Sequence, residues 1–346
     1  MTFVVFLAGG WGERFWPMSR IHYPKQFLAI DGKESLIEKS VRRFAHFVSP
    51  QFIRIVALSE QKKIFRKEYP ALAHRVLWEP FGRNTAAAIA LAAFEIGKKD
   101  PEATLVVLPC DPWIQNEKIF LATVRTAVSV AKNFDGIVTI GIPPTYPATG
   151  YGYIRYAKGK RKAYDVVRFI EKPRLEKAKR LLRGGSVLWN SGIFVFRIPV
   201  FMQLLRTHLP ILYRGFQEKS LSHLYRKLQS KGFDTSFDRG ILEKTKRVKV
   251  IPGRFGWRDL GSWRSLEVAF PLRDGNILVG DAFVERGKEN IFISKKGHLL
   301  AGIAVSGLVA VHTDEVTLIC PKGRAEEVKE LVNALRKRNA FSRYCS

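Results

Sequence analysis

The sequence is short of sulfur and of acid. Its three cysteines, Cys110, Cys320 and Cys345, are scattered and form no Cys-x-x-Cys pair. Neither a disulfide framework nor a thiolate zinc site is indicated, and a reducing cytoplasm is the expected setting. No apolar run reaches membrane-spanning length, and the opening MTFVVFLAGG lacks the basic region and the length of a signal peptide. These absences make a soluble, cytoplasmic protein without a membrane partner the expectation. Only 31 Asp and Glu stand against 58 Lys and Arg, a formal net charge of +27. The basic excess is spread along the chain, denser in RYAKGKRKAYDVVRFIEKPRLEKAKRLLR and LRKRNAFSRYCS, with no recognisable RNA- or DNA-binding motif beside it. It reads as a solvated surface, and nucleic acid is not expected as a partner. Anionic small-molecule substrates gain from such a field in either case.

What is present is enough apolar material, 46% of 346 residues, for a substantial core. The first half alternates β-branched runs with helical patterns: FVVFLA, SLIEKSVRRFAHFV, FIRIVALS, IFRKEYPALA, RVLWEP, NTAAAIALAAFEIGKK, TLVVLP. This alternation predicts an α/β fold with a mostly parallel sheet covered on both faces. Ser35 and Glu38 form a capping box, and Ile37, Val41, Phe44 and Val48 follow as a core stripe. GIVTIGI, TGYGYIRY, DVVRFIEKP and WNSGIFVF read as further strands. From about Asn276 short apolar runs are split by Gly, Asp and Lys turns without helical period, which predicts a small β-solenoid or β-domain after a boundary near Arg273. The tail RAEEVKELVNALRKRNAF reads as an amphipathic helix with Val328, Leu331, Val332 and Leu335 on one side.

The segment FLAGGWGERFWPMSR follows the first strand. Gly9, Gly10 and Gly12 permit the close backbone approach that points amide N–H groups at phosphate oxygens, and Arg14, Arg20 and Lys25 add charge. The loop lacks the Lys-Ser/Thr end of a Walker motif, and no helical period starts after Gly12, so neither a P-loop nor a dinucleotide fingerprint is satisfied. Asp111 ends TLVVLP at the carboxyl end of a strand, where open α/β sheets bind ligands. Its competing reading is the N-cap of the next helix. Glu79 can accept from guanine N1–H and N2–H, a pairing adenine does not offer. Its competing reading is an ordinary strand-end carboxylate.

LAGGWGERFWPMSRIHYPKQFL resembles the signature of the sugar-1-phosphate nucleotidyltransferases, and its Trp-Pro, Ser-Arg and Pro-Lys-Gln-Phe-Leu elements resemble the mannose-1-phosphate guanylyltransferase branch. EPFGRNTAAAIA, LPCDP, TGYGYI, FIEKP, WNSGIFVF and FGWRDLGSW follow in the family's order, and NILVGD resembles the start of its C-terminal left-handed β-helix. The resemblance implies a Rossmann-like, mostly parallel mixed sheet in a GT-A-like nucleotidyltransferase domain over residues 1–273. A C-terminal β-helix domain with a terminal helix then covers 274–346.

The family's motifs place the nucleotide at Leu7, Ala8, Gly9, Gly10 and Gly12, with Arg14 and Lys25 on the triphosphate. Glu79, Asn84 and Thr85 match positions near guanine and ribose, and Asp111 serves both nucleotide and metal. Asp259 in WRDLGSW matches the second metal-binding aspartate, the pair implying Mg²⁺. Thr149, Gly150, Tyr151, Gly152, Glu171, Asn190 and Ser191 match sugar-contacting positions, and Lys172 is the natural partner of the incoming phosphate. The implied substrates are GTP and mannose 1-phosphate, and the implied assembly is a homodimer. The implied chemistry is in-line attack on the α-phosphorus with no covalent intermediate and no general base. The same chemistry on another hexose or heptose 1-phosphate, or a non-catalytic nucleotide-sugar or nucleic-acid binder, remains open. Pro112 stands where the family usually has His, and Arg239 and Gly240 stand where an aromatic or lysine and an alanine are usual. These departures bear on sugar choice and leave the phosphate and metal positions intact. No HxH pair or cupin-like segment is found, and no isomerase activity is expected.

Overall fold

The computed structural model describes residues 1–30, 33–159, 162–218 and 220–345, with only the backbone at Val268. Lys160 and Arg161 of the basic stretch lie outside the described residues. The strands run, in chain order, β1 (Thr2–Leu7), β2 (Ile53–Leu58), β3 (Val76–Glu79), β4 (Thr104–Pro109), β5 (Trp113–Ile114), β6 (Ile137–Ile142), β7 (Tyr153–Tyr156), β8 (Tyr164–Ile170) and β9 (Val187–Arg197). They continue as β10 (Val248–Pro252), β11 (Trp257–Arg258), β12 (Ile277–Val279), β13 (Ala282–Glu285), β14 (Ile291–Ile293), β15 (Leu300–Ile303), β16 (Leu308–His312) and β17 (Thr317–Pro321). Two compact units form. One comprises Met1–Gly9, Arg43–Pro109 and Asn116–Trp257; the other comprises Gly10–Arg42, Cys110–Gln115 and Arg258–Ser346. This partition differs from a single cut near Arg273, because the glycine loop and the Asp111 segment go with the β-solenoid.

The first unit is built on a nine-stranded sheet in the order β3-β2-β1-β4-β9-β6-β10-β8-β7, with β7 also pairing β9. Strands β1 to β4 are parallel, joined by crossovers as their alternation with helices requires. The long β9 runs antiparallel between β4 and β6, so the sheet is mixed. Its central strands are buried along their length, as are nine residues of the alanine-rich helix Asn84–Gly97. That helix is apolar all round because it lies inside the unit, packed into one core with β1, β4 and the helix Ile198–His208. In register, Leu7 of β1 stands beside Pro109 of β4. The chain therefore enters the second unit just after the carboxyl ends of two adjacent parallel strands.

In the second unit, β12, β14 and β16 stack in parallel, as do β13 and β15, which makes two faces of a β-helix; β17 closes one face antiparallel to β16. Ile277, Ile291 and Val309 stand in one ladder, and buried Asn290 donates its amide to Asn276 Oδ1 at 2.9 Å and to the Val305 carbonyl at 2.8 Å. The two asparagines thus satisfy the turns they face, and β14 and β16 turn Ile291, Ile293, Val309 and Val311 into the core. The tail helix is Val328–Arg336; Val328 and Val332 are buried and Leu335 packs on the same core, whereas Leu331 is exposed. The Ser35–Glu38 capping box forms, with the Ser35 N–H on Glu38 Oε2 at 3.0 Å and the Glu38 N–H on Ser35 Oγ at 3.3 Å. The helix it starts ends at Arg43, so the stripe outruns the helix: Phe44 is buried in the following turn and Val48 is half-buried. Among the described residues no helix is long and apolar enough to cross a membrane.

Candidate active site

The glycine loop is held by its own unit. Glu13–Phe15 form one 3₁₀ turn, closed by the Phe15 N–H on the Gly12 carbonyl at 2.8 Å. Gly12 has φ 67°, and a Cβ there would lie 2.2 Å from Cβ of Lys25, so only glycine fits both the conformation and the space. Phe15 and Trp16 are buried with Trp263, the β-helix ladder and the tail valines. The Trp16 indole N–H donates to the Tyr344 carbonyl at 2.9 Å, and that of Trp263 donates to the Trp16 carbonyl at 3.1 Å. Glu13 is gripped from the tail helix by Arg336 at 2.5 Å and Lys329 at 3.5 Å. The C-terminal segment therefore fixes the loop next to Gly12 and Arg14.

Three segments of chain converge in this unit. Lys25 Nζ lies 2.8 Å from Asp111 Oδ2 and 5.2 Å from the centre of the Phe15 ring. Asp111 is steadied through its neighbour, since buried Ser40 donates to the Cys110 carbonyl at 2.6 Å. The helix that follows is capped by Asn116, whose Oδ1 accepts the Ile119 N–H at 3.0 Å, so Asp111 is not its N-cap. A Cβ on Gly261 would sit 3.3 Å from Asp259 Oδ2 and 3.7 Å from Arg14 Nη1, which brings that carboxylate and that guanidinium close to one glycine. Arg14 Nε also pairs with Glu326 Oε2 at 3.0 Å, and Ser262 Oγ donates to Glu326 Oε1 at 2.8 Å. Burial raises the Asp259 acid above the usual carboxylate range; Lys25 opposes that, Asp111 adds to it, and the weaker effects of Arg14 and Glu326 oppose each other. Two carboxylates held against their mutual repulsion make a place for a cation. Among the described residues no group of three or more His, Cys, Asp or Glu forms a ready-made cage.

The first unit gathers a different set. At the end of β3, buried Glu79 accepts the Tyr225 hydroxyl at 2.7 Å through Oε1, while Oε2 would lie 3.9 Å from a Cβ on Gly9. Burial pushes the Glu79 acid up to about 7 despite the hydrogen bond from Tyr225. Asn84 opens the helix in a left-handed conformation, φ 65°, and donates to Asp234 at 3.2 Å, while Thr85 Oγ1 accepts the Phe237 N–H at 2.8 Å. Both therefore tie the helix start to the 234–237 segment. Leu7 ends β1, and the N–H of buried Ala8 donates to the Val56 carbonyl at 2.8 Å.

Strand register assembles the sugar positions. Tyr153 of β7 stands beside both Ile170 and Trp189, which sets Gly152, Glu171 and Asn190 abreast. A Cβ on Gly152 would lie 2.7 Å from Glu171 Oε2, and the Asn190 N–H reaches the Gly152 carbonyl at 2.8 Å. WNSG lies in the interior of β9, as expected of a strand, where an irregular register against β6 and Gly192 at φ 72° mark a bulge next to Asn190. The Asn190 amide donates to Asp238 Oδ1 at 2.6 Å. Burial, and then the Glu171 charge, push the Asp238 acid up to about 6. Lys172 Nζ lies 2.6 Å from Glu171 Oε1 on a backbone with φ 39°, an uncommon conformation for lysine and one that tends to occur at functional sites. The Tyr151 ring meets Trp189 and Trp257 edge-on, and Thr149 and Gly150 are exposed beside it. Ser191 is set apart: its hydroxyl donates to the Ile140 carbonyl at 2.6 Å and accepts the Ile193 N–H at 3.2 Å, inside the sheet.

Three partners escape a reading of the sequence. Tyr225 lies in the apolar stripe of the helix Leu221–Ser230, where a tyrosine among leucines signals a buried hydroxyl in need of an acceptor. Asp238, between Phe237 and the buried Ile241, is an acid in an apolar setting. Glu326 looks like one more charge of an amphipathic tail.

Residues 3–273 match the model of the nucleotidyl transferase family, and residues 284–335 match that of the MannoseP isomerase/GMP-like beta-helix domain. The chain belongs to the nucleotidyl transferase family. Members of this nucleotidyltransferase family generally use a divalent metal. Similar proteins include the mannose-1-phosphate guanylyltransferase RfbM of Salmonella typhimurium, 36% identical over 99% of this chain and 74% of that protein. A mannose-1-phosphate guanylyltransferase of Klebsiella pneumoniae is 34% identical over 99% of this chain and 76% of that one. This nucleotidyl transferase thus spans about three quarters of the length of those relatives. Among solved structures, a protein of Thermus thermophilus described as a mannose-1-phosphate geranyltransferase superposes with a TM-score of 0.89 at 33% identity, over 97% of this chain and 99% of that one.

Proposed function

We propose that the protein transfers the GMP group of GTP to α-D-mannose 1-phosphate, giving GDP-mannose and pyrophosphate. The observation that carries this reading is the convergence of Arg14, Lys25, Asp111 and Asp259, from three separate chain segments, into one cluster of two cations and two carboxylates. Such a set suits a triphosphate that arrives with a hard cation. The relatives of similar sequence name the sugar and the base.

In this reading a phosphate oxygen of mannose 1-phosphate attacks the α-phosphorus of GTP in line, the new P–O bond forms, and the bond to the β-phosphate oxygen breaks. The nucleophile is already an anion, so no proton has to be removed. Arg14 and Lys25 draw charge off the triphosphate, and Lys172 screens the incoming phosphate. Glu79, steadied by Tyr225, accepts from guanine N1–H and N2–H. Glu171, Asn190 and Asp238, with the Gly152 backbone, hold the sugar. Asp111 and Asp259 would hold Mg²⁺, which prefers a few carboxylates together with phosphate oxygens and water, and which when bound neutralises phosphate charge. A homodimer is part of the proposal, as is a division into a catalytic segment 1–273 and a β-helix segment 274–346. Phe283 and Ile303, exposed on β13 and β15, are apolar side chains that a second copy would cover; light scattering in solution tests it.

The test is product formation with Mg²⁺, GTP and mannose 1-phosphate, set beside ATP, UTP and dTTP and beside glucose and heptose 1-phosphates. GDP-mannose and pyrophosphate in equal amounts, from that substrate pair above all others, is the expected result. Turnover with a different sugar keeps the mechanism and replaces the acceptor. Silence across the panel rejects the reading.

A further inference from the structure

The first unit contains an open cleft of about 590 Å³ that shares only Glu171 with the residues assigned to the reaction. Its walls come from β8, from the start of the helix Leu175–Gly184, and from residues 239–246. Arg168, Lys177, Arg239, Lys244 and Lys246 line it. Among the described residues none of these five side chains is in an ion pair, whereas basic side chains elsewhere, such as Arg43, Arg197 and Lys249, are paired. The two carboxylates of the lining do not neutralise them. Glu171 is engaged by Lys172 and turned toward Gly152, which leaves Glu243 alone against five cations. Burial, then the charge of Lys244 and that of Arg247 outside the lining, hold the nearby His208 imidazole below the usual range.

The backbone at this wall is also unusual. Asp238–Leu242 form a π-helical turn, a geometry rare in proteins and concentrated at functional sites. It sends Asp238 inward to Asn190 and leaves Arg239 on the surface of the cleft. Gly240 makes the turn possible, since a Cβ there would lie 2.9 Å from both Leu209 Cδ1 and Thr235 Cγ2. Arg239 and Gly240, with Pro112, are the positions at which the sequence departs from the pattern it otherwise resembles. The departure therefore supplies both a cation of the cleft and the room for the turn that presents it.

We propose that this cleft binds a phosphate monoester of a sugar or polyol, in a subsite next to the one that takes the sugar 1-phosphate. A monoester carries close to two negative charges near neutral pH, which a guanidinium fork and several ammonium groups match. The volume is that of a small-molecule site, and the polar, cationic walls exclude an apolar ligand. The occupant is either a second phosphate at the far end of the sugar substrate or a separate phosphorylated metabolite. Only the coupling of this cleft to the sugar subsite, through Glu171 and the Asp238–Arg239 turn, rests on the transferase reading.

Calorimetry on the full chain separates these sources without relying on turnover. Mannose 6-phosphate, mannose 1,6-bisphosphate and mannose 1-phosphate are titrated into the wild type and into Arg239→Ala/Lys244→Ala/Lys246→Ala, whose side chains are exposed. A wild type that binds mannose 6-phosphate, with at least tenfold loss in the variant and less than threefold change for mannose 1-phosphate, supports the cleft as a site for a separate metabolite. Binding of the bisphosphate at least tenfold tighter than the 1-phosphate, an advantage lost in the variant, with no binding of the 6-phosphate alone, supports the second phosphate of the substrate. Equal affinities in wild type and variant overturn the proposal. So does a variant that loses only salt-sensitive binding of a single-stranded oligonucleotide, which would make the cleft a general polyanion surface. Turnover with GTP and mannose 1-phosphate is followed separately, so that failure of the transferase reading leaves the binding result interpretable.

Discussion

Carboxylates meet different partners in the two units. In the second, Asp111 is paired at 2.8 Å with the buried ammonium of Lys25, and Asp259 lies beside Arg14. Acid is there set against base, which suits the polyanion and cation of the proposed reaction. In the first, Glu79 is held by a tyrosine hydroxyl and Asp238 by an asparagine amide, and burial raises their acids to about 7 and about 6. These two sit at the border of ionisation, suited to reading the hydrogen-bond pattern of a neutral base or sugar. In the proposed reading carboxylates thus meet phosphate and metal charge in one unit and recognise base and sugar in the other, and the difference lies in the partner, since burial raises the Asp259 acid as well.

The comparison breaks most severely at the paired cluster. Asp111→Asn and Asp259→Asn are each expected to lower the rate of pyrophosphate release by about a thousandfold or more, a loss of the size attributed to phosphoryl-charge stabilisation. Asp111→Asn also leaves a buried ammonium without its counter-ion and should destabilise the fold by a few kcal/mol, roughly the cost of breaking a buried pair. A thermal melt run beside the assay tells the two losses apart. Gly12→Ala comes next. The added methyl collides with Lys25 and strains a left-handed backbone, so a loss of about a hundredfold is expected from displacing a catalytic cation by about 1 Å.

Glu79→Gln sharpens the other side. The Glu79 acid is raised from 4.5 in the unfolded chain to about 7 in the folded one, so the folded state holds the proton more tightly. Its contribution to stability is fully present below about 4.5 and is lost as pH rises through about 7; the substitution should flatten the melting temperature across that window. Guanine needs the ionised carboxylate, so the KM for GTP should fall as pH rises through about 7 in the wild type and stay flat in the variant. The smallest effect is expected for histidine: replacing His22, His46, His74, His208, His223, His298 or His312 one at a time should leave turnover within a few-fold. A loss of several orders of magnitude at any one of them would mean that a general base is needed after all.

Much of the fold is legible along the chain because its signals are local. The alternation from FVVFLA to TLVVLP gives the parallel strands, the Ser35–Glu38 box gives a helix start, and the evenly split runs after Asn276 give the solenoid. The antiparallel β9 inside the sheet and the attachment of the glycine loop to the β-helix are not legible, because both depend on pairings between residues far apart in the chain. The candidate site divides the same way. Gly12, Lys25, Asp111 and Asp259 sit in motifs, whereas Tyr225, Asp238 and Glu326 are ordinary in sequence and acquire meaning only from what they touch. Ser191 and Thr85 lie in motifs too, yet their hydroxyls bond to the backbone and position strands and helix starts.

The division of labour is tested most directly by kcat/KM for GTP against ITP, which lacks the 2-amino group, in the wild type, Glu79→Gln and Asp111→Asn. A carboxylate that accepts from N2–H makes the wild type prefer GTP by about tenfold to a hundredfold, the worth of one hydrogen bond to a charged group. The account predicts that Glu79→Gln brings that ratio close to one while retaining most of kcat, and that Asp111→Asn collapses kcat while keeping the ratio. A Glu79→Gln variant that still prefers GTP as strongly as the wild type would contradict it.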